Sequence, residues 1–91
     1  MSKVQEKELN NYIETFNAKN IDIIIEGTFK QTTKLELAEC TYNTTDGKLK
    51  LQDNNSIFEI DISFVDLIEI NEKQDTIKIH LENYIDMTIA K

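Results

Sequence analysis

The 91-residue chain contains no proline, tryptophan or arginine, and it has only two glycines, one cysteine and one histidine. A lone cysteine, Cys40, cannot form an intrachain disulfide, so the chain is not a small disulfide-stapled scaffold. A zinc site built from several His and Cys ligands is excluded by the same counts. Gly27 and Gly47 are too few for a glycine-rich phosphate loop. Without arginine, the chain cannot bind phosphate or guanine edges in a bidentate manner.

Long apolar runs are also absent from the sequence. No segment approaches the ~20 apolar residues of a transmembrane helix, and residues 1–7 are polar, unlike a secretory signal. We therefore expect a cytoplasmic protein without membrane contact. The many isoleucine, lysine and asparagine residues are typical of AT-rich coding, which indicates a low-GC bacterium or its phage as the source.

The chain has the length of one domain (residues 1–91), and hydrophobic periodicity divides it into a helix and a β-sheet. A helix is predicted from residue 2 to about residue 19, because Leu9, Ile13 and Phe16 lie on one helical stripe that also includes Tyr12. We expect this stripe to cover the protein's own sheet, since a small sheet needs a cover. Residues 21–90 alternate between apolar and polar side chains, which predicts strands.

The predicted fold is mainly β with one N-terminal helix: a strongly bent antiparallel meander of five to six strands that closes into a small barrel. One strand is predicted over residues 34–43, and in another the side chains of Phe58, Ile60, Ile62 and Phe64 share one face. The alternative is an open, curled α+β sheet covered by the helix. In its order of elements the chain resembles the Sm-like and SH3-like small barrels. The resemblance concerns layout alone and carries over no functional position.

Charge complementarity predicts the register of three hairpins. Opposite charges that face each other across two strands contribute about 0.2–1 kcal/mol each, and they help to fix strand pairing. The predicted pairs are Lys50–Glu59, Lys48–Asp61, Glu69–Lys78 and His80–Asp86. This pattern gives the only histidine a structural role.

The sequence shows no arrangement that indicates catalysis. Cys40 shares a strand face with Ala38 and Tyr42, which predicts a buried, inert thiol instead of a nucleophile. Turn residues 53–55 lack the spacing of an EF-hand calcium loop. We therefore expect no enzyme activity, no cofactor and no metal.

The net charge of −7 is unevenly distributed, because residues 57–91 carry eight acidic and three lysine side chains, a sum of −5. Negative charge of this size disfavours binding to nucleic acid. It either keeps the protein soluble or complements a basic partner. Four acids after residue 56 have no predicted cross-strand partner. The predicted partner-binding residues are Asp66, Glu72, Asp75 and Glu82.

The predicted function is that of a small acidic binding protein, which inhibits or antagonises a basic, nucleic-acid-handling protein of a bacterium or phage through protein–protein contact. The alternative is an Sm-like homo-oligomer joined through sheet edges, which binds nucleic acid or a small ligand at its subunit clefts. In that case basic side chains would contact phosphate and aromatic rings would stack on bases. The residues in question are Lys30, Lys34, Lys48 and Lys50, with Phe29 and Tyr42.

Overall fold

One helix precedes eight strands in the computed structural model of the protein, which describes residues 3–65, 67–81 and 84–91. Helix α1 spans Lys3–Ile13 and continues as a 3-10 turn over Glu14–Phe16, so it is shorter than the predicted helix to residue 19. The chain leaves the helix at Ala18, whose φ is 61°. The strands are β1 (Ile21–Glu26), β2 (Lys30–Leu35), β3 (Glu39–Asn43), β4 (Lys48–Gln52), β5 (Ile57–Asp61), β6 (Leu67–Asn71), β7 (Thr76–His80) and β8 (Asp86–Ala90).

The strands form two antiparallel sheets, which confirms a mainly β fold with one N-terminal helix. One sheet has the order β2-β1-β8-β7-β6, and the other has the order β3-β4-β5. Strands that follow each other in the chain are neighbours within each sheet, as in a meander. In addition, β1 pairs with β8, so the first and last strands are adjacent. Within the described residues no closed barrel is found.

The prediction of one strand over residues 34–43 is wrong. β2 ends at Leu35 and β3 begins at Glu39, and the two strands belong to different sheets. Leu37 lies in the bend between them with a φ of 50° and an exposed side chain, so it does not share a face with the buried Leu35. The Leu37 N–H donates to Oδ1 of Asn20 at 3.1 Å, which holds the bend. Because of such breaks, the described part of the chain contains eight strands, whereas five to six were expected.

A second break separates β5 from β6. The carboxylate of Asp61 ends β5 by accepting hydrogen bonds from the N–H and Oγ of Ser63 at 2.9 and 2.7 Å. Ile62 and Val65 are buried, whereas Phe64 is 60% exposed. The prediction that Phe64 shares a face with Phe58 and Ile60 is therefore wrong, because β5 has already ended at Asp61, three residues earlier.

The hairpin registers agree with the sequence prediction. Each predicted charge pair occupies directly opposite positions on neighbouring strands, on the solvent-facing side of its sheet. The observed cross-strand partners are Lys50–Glu59, Lys48–Asp61, Glu69–Lys78 and His80–Asp86. Charge and apolar alternation therefore select the same register in each hairpin.

A single hydrophobic cluster combines residues of the helix and of both sheets. Leu9, Ile13 and Phe16 are buried, and Tyr12 is partly buried, so the helical stripe covers the protein's own core as expected. The helix packs against β3, where the hydroxyl of Tyr42 donates to Oε1 of Glu6 at 3.0 Å. The buried strand residues are Ile21, Ile23, Leu35, Cys40, Tyr42, Leu49, Leu51, Ile68, Ile77, Ile79, Met87 and Ile89.

Candidate functional site

A cleft of about 1030 Å³ separates helix α1 from the hairpin formed by β6 and β7; we call it the α1–β6 cleft. One wall is the outer face of the helix, and the other is β6 with the turn that follows it. The helix contributes Glu8, Asn11, Tyr12 and Thr15. The hairpin contributes every residue from 69 to 74, together with Thr76 and Lys78.

The cleft runs along the backbone edge of β6. Successive side chains of a strand point to opposite faces, so a cleft over one face is lined by alternate residues only. Glu69, Ile70 and Asn71 all line the cleft, whereas β7 contributes only the alternate residues Thr76 and Lys78. β6 is also the last strand of its sheet and pairs only with β7 in the described part of the chain. The second backbone edge of β6 therefore faces the cleft.

Acidic side chains outnumber basic ones around the cleft. Glu8, Glu69 and Glu72 line it, against Lys73 and Lys78. Lys78 is already engaged, since it lies opposite Glu69 and its Nζ is 3.9 Å from a carboxylate oxygen on β8. The surface that a partner would meet is consequently negative on balance.

Tyr12 forms the inner part of the helix wall. Its hydroxyl is buried and has no hydrogen-bond partner among the described residues. Burial raises the pKa of Tyr12, and the negative charges of Asp75 and Glu72 raise it further. The Nζ of Lys91 lies 5.1 Å from the centroid of the Tyr12 ring, so side chains of both signs lie near this end of the cleft.

Two of the four predicted partner-binding residues lie beside this cleft. Glu72 lines it, and Asp75 is in the same turn, where its N–H donates to the Glu72 carbonyl at 3.4 Å. Asp75 has a φ of 55°, and its carbonyl accepts the N–H of Lys91 at 3.1 Å, so this position also shapes the turn. The other two, Asp66 and Glu82, lie outside the described residues.

Sequence reasoning missed the helix wall of the cleft. The sequence predicts Tyr12 on the apolar stripe of the helix and makes no prediction for Glu8. The order of elements cannot place the outer face of α1 beside β6, because that contact depends on how the helix crosses the two sheets. The only available signal was Tyr12, a residue with a polar end at the border of an otherwise apolar stripe.

His80 lies between two carboxylates on the outer face of the larger sheet. Its Nδ1 lies 2.6 Å from Oδ1 of Asp86, and its Nε2 lies 3.5 Å from Oε2 of Glu69. Both ring nitrogens thus face carboxylates on the two neighbouring strands. This geometry holds three strands together and does not orient the imidazole toward a nucleophile.

Cys40 is buried on β3, as expected from the sequence. Burial raises the pKa of its thiol to about 11, so the reactive thiolate is strongly disfavoured near neutral pH. The Cys40 N–H donates to Oδ1 of Asn17 at 2.6 Å, which ties β3 to the segment that follows the helix. The residue therefore has the environment of a structural cysteine.

The lysines considered for nucleic-acid contact do not form one patch. Lys30 and Lys34 lie on β2 in the larger sheet, whereas Lys48 and Lys50 lie on β4 in the smaller sheet, opposite acidic residues of β5. The ring of Tyr42 is buried and therefore not available for stacking on a base. Three acidic side chains line the α1–β6 cleft, whereas the four lysines are divided between two sheets.

Among residues 3–65, 67–81 and 84–91, no group of three or more His, Cys, Asp or Glu side chains is arranged to hold a metal ion. None of the described helices is long and apolar enough to cross a membrane. Comparison of the chain with protein-family models, with curated proteins and with solved structures finds no match. Function therefore has to be inferred from the cleft and its charges.

Proposed function

We propose that the protein is a non-enzymatic binding module whose α1–β6 cleft receives a basic surface of another protein. The observation that carries this proposal is the convergence of Glu8, Glu69 and Glu72 on one concavity from two different elements. An excess of one sign of charge around a concavity accelerates association with a partner of opposite charge. Glu72 and Asp75, two acids without a predicted cross-strand partner, lie at or beside this cleft.

A protein partner fits these charges better than a nucleic acid does. The chain carries a net charge of −7 and no arginine, and a phosphate backbone would be repelled by the cleft. Proteins that handle nucleic acids themselves carry basic surfaces of the required sign. The role we infer is therefore that of an inhibitor or antagonist of such a protein, acting in the cytoplasm of a bacterium or in phage infection.

We also propose that the two sheets constitute a pinched small barrel of six strands. If β2 and β3 are counted as one bent strand, and β5 and β6 as another, six strands remain. These six follow one cyclic order, which the β1–β8 pairing completes. Chain continuity through both bends supports this architecture. Hydrogen exchange tests it: amides of the bends around residues 36–38 and 62–65 should be nearly as protected as those of the strands.

Homo-oligomerisation through sheet edges is the second candidate, because β6 is an edge strand that pairs only with β7 in the described residues. Light scattering coupled to size-exclusion chromatography separates the two candidates. A monomer supports the binding module with a free cleft, whereas a ring of several copies supports the oligomeric small barrel.

The binding module is tested by two matched charge reversals. The cleft variant carries Glu8→Lys and Glu72→Lys, and the control carries Glu14→Lys and Glu36→Lys, which are equally exposed acids that do not line the cleft. Both variants change the net charge by the same amount. Each protein is immobilised and exposed to a bacterial extract at ~150 mM salt, where surface charges are partly screened.

We expect basic proteins to be retained by the wild type and the control variant and to be lost from the cleft variant. Retention of the same proteins by the cleft variant would contradict the proposal. Equal losses from both variants would indicate a general effect of net charge and would also contradict a role of the cleft.

A further inference from the structure

The sheet edges of this protein are not equivalent. In the described residues, the four strands at sheet edges are β2, β3, β5 and β6; β5 contains no lysine, but none of its residues lines the α1–β6 cleft. The edge of β3 is covered at its start by the segment after the helix, since the Cys40 N–H donates to Oδ1 of Asn17 at 2.6 Å and, just before the strand, the Ala38 N–H donates to the Lys19 carbonyl at 2.9 Å. An edge that is covered in this way cannot accept another strand.

The edge of β2 lies at the other side of the same sheet, where a second concavity touches the strand only at Gln31. Its exposed side chains include Lys30 and Lys34, and no acidic residue lies in the strand. Lysine on an exposed edge strand is a common device against unwanted strand pairing. β2 therefore has the composition of a protected edge.

In the described residues, the edge of β6 has neither a covering segment nor lysine side chains. No lysine lies within Leu67–Asn71, and the strand faces the α1–β6 cleft, with Tyr12 and Asn11 of the helix on the opposite side. The concavity is long enough for all residues from 69 to 74 to border it. An unpaired strand edge beside a helix provides main-chain hydrogen bonds on one side and side-chain contacts on the other.

We propose that β6 binds an extended segment of the partner protein, which adds as a further strand to the five-stranded sheet inside the α1–β6 cleft. This inference rests on the proposed function and specifies what the cleft recognises. The backbone of β6 provides hydrogen bonds that do not depend on the sequence of the segment, and the side chains around the cleft select it.

The pleat of β6 predicts the chemistry of the segment. A strand beside β6 would place alternate side chains next to Glu69 on the outer face and next to Ile70 on the inner face. Lysine or arginine fits the outer positions, where Glu69 and Glu72 are acidic. Apolar side chains fit the inner positions, where Ile70 is partly buried against the core. The segment is therefore expected to alternate between basic and apolar residues.

The test uses three fluorescein-labelled peptides of eight residues with alternating lysine and valine. The first is unmodified. The second is N-methylated at the backbone nitrogen of every valine, and the third is N-methylated at the backbone nitrogen of every lysine. In a strand, the N–H groups of alternate residues point to the same edge, so each modified peptide has lost the donors of one edge only. Charge and side chains are the same in all three peptides.

Strand addition predicts that one N-methylated peptide binds the wild-type protein at least about tenfold more weakly than the unmodified peptide, because it can no longer donate to β6. The other should stay within about threefold, since its lost donors would face solvent. Hydrogen exchange of residues 67–71 should slow on addition of the unmodified peptide. The amides of β2, the opposite edge of the same sheet, should be unaffected.

The outcomes separate the two proposals. If both N-methylated peptides bind as tightly as the unmodified one, or both lose affinity equally, or no peptide binds at millimolar concentration, strand addition is wrong. The capture experiment with the Glu8→Lys, Glu72→Lys variant then decides independently whether the cleft binds a partner in another manner. If the unmodified peptide binds that variant as tightly as the wild type, the acidic cleft does not select the segment and both proposals fail.

Discussion

Replacement of Phe16 by alanine should lower the free energy of unfolding by about 3–5 kcal/mol. The side chain is fully buried, and its ring contacts Tyr12 edge-to-face with the centroids 5.4 Å apart. It lies in the 3-10 turn that anchors the end of the helix to the core, and the Nζ of Lys91 is 4.8 Å from its ring centroid. The substitution removes burial and leaves a cavity that the two sheets can close only in part.

The measurement is urea denaturation followed by far-ultraviolet circular dichroism. Phe64→Ala is the matched control, because the same atoms are removed from a side chain that is 60% exposed, and its effect should stay below about 1 kcal/mol. Domains of this kind are stable by only about 5–15 kcal/mol, so the difference between the two variants is readily measured. Equal losses in both variants would refute the view that the helix is an integral part of the core.

Three further predictions follow from buried or strained positions. Cys40 should react slowly with a thiol reagent in the native protein and rapidly in denaturant, since its pKa is about 11; rapid native labelling would contradict its burial. Gly47→Ala should lower the free energy of unfolding by about 1–3 kcal/mol, because Gly47 has a φ of 71° and an added Cβ would lie 2.5 Å from the Cβ of Ser63. An unchanged midpoint of thermal or urea unfolding would contradict this geometry. Burial and the hydrogen bond to Glu6 raise the pKa of Tyr42 to about 12. The stability that this shift provides is complete below pH ~10 and is lost as the pH rises toward 12, so Tyr42→Phe should flatten the decline of stability in that window; the same decline in the variant would assign it to other groups.

Local patterns in the sequence were sufficient for the parts of the fold that depend on neighbouring residues. The pairing of Lys50 with Glu59 follows from a short turn and from the alternation on both sides of it. The burial of Cys40 follows from its apolar neighbours on the same strand face. These features are decided within one hairpin or one strand, where periodicity is a strong signal.

The bends could not be predicted from the same patterns. Residues 34–43 contain no proline or glycine to mark a break, and the bend is held by the Asn20 side chain, 17 residues away from Leu37. Similarly, Phe64 continues an apolar alternation although its strand ends at Asp61. At Leu37 a contact between residues far apart in the chain overrides the local alternation, whereas before Phe64 the hydrogen bonds from Ser63 to Asp61 end the strand.

Only half of the candidate site could be predicted from the sequence. Glu72 and Asp75 stood out as acids without a predicted cross-strand partner, and they lie at the β6–β7 turn beside the cleft. Glu8 had no such signal, because an acidic residue on the outer face of a helix usually serves only solvation. Its contribution depends on the position of the helix relative to β6, which is a property of the tertiary structure.

Association kinetics with a captured partner test the central claim most directly. Stopped-flow rate constants for the purified partner are compared at two salt concentrations between the wild type, the Glu8→Lys, Glu72→Lys variant and the Glu14→Lys, Glu36→Lys control. If the α1–β6 cleft receives a basic surface, the cleft variant should associate about tenfold more slowly than the control and with a weaker dependence on salt. Equal association rates and equal salt dependence of the two variants would contradict the account.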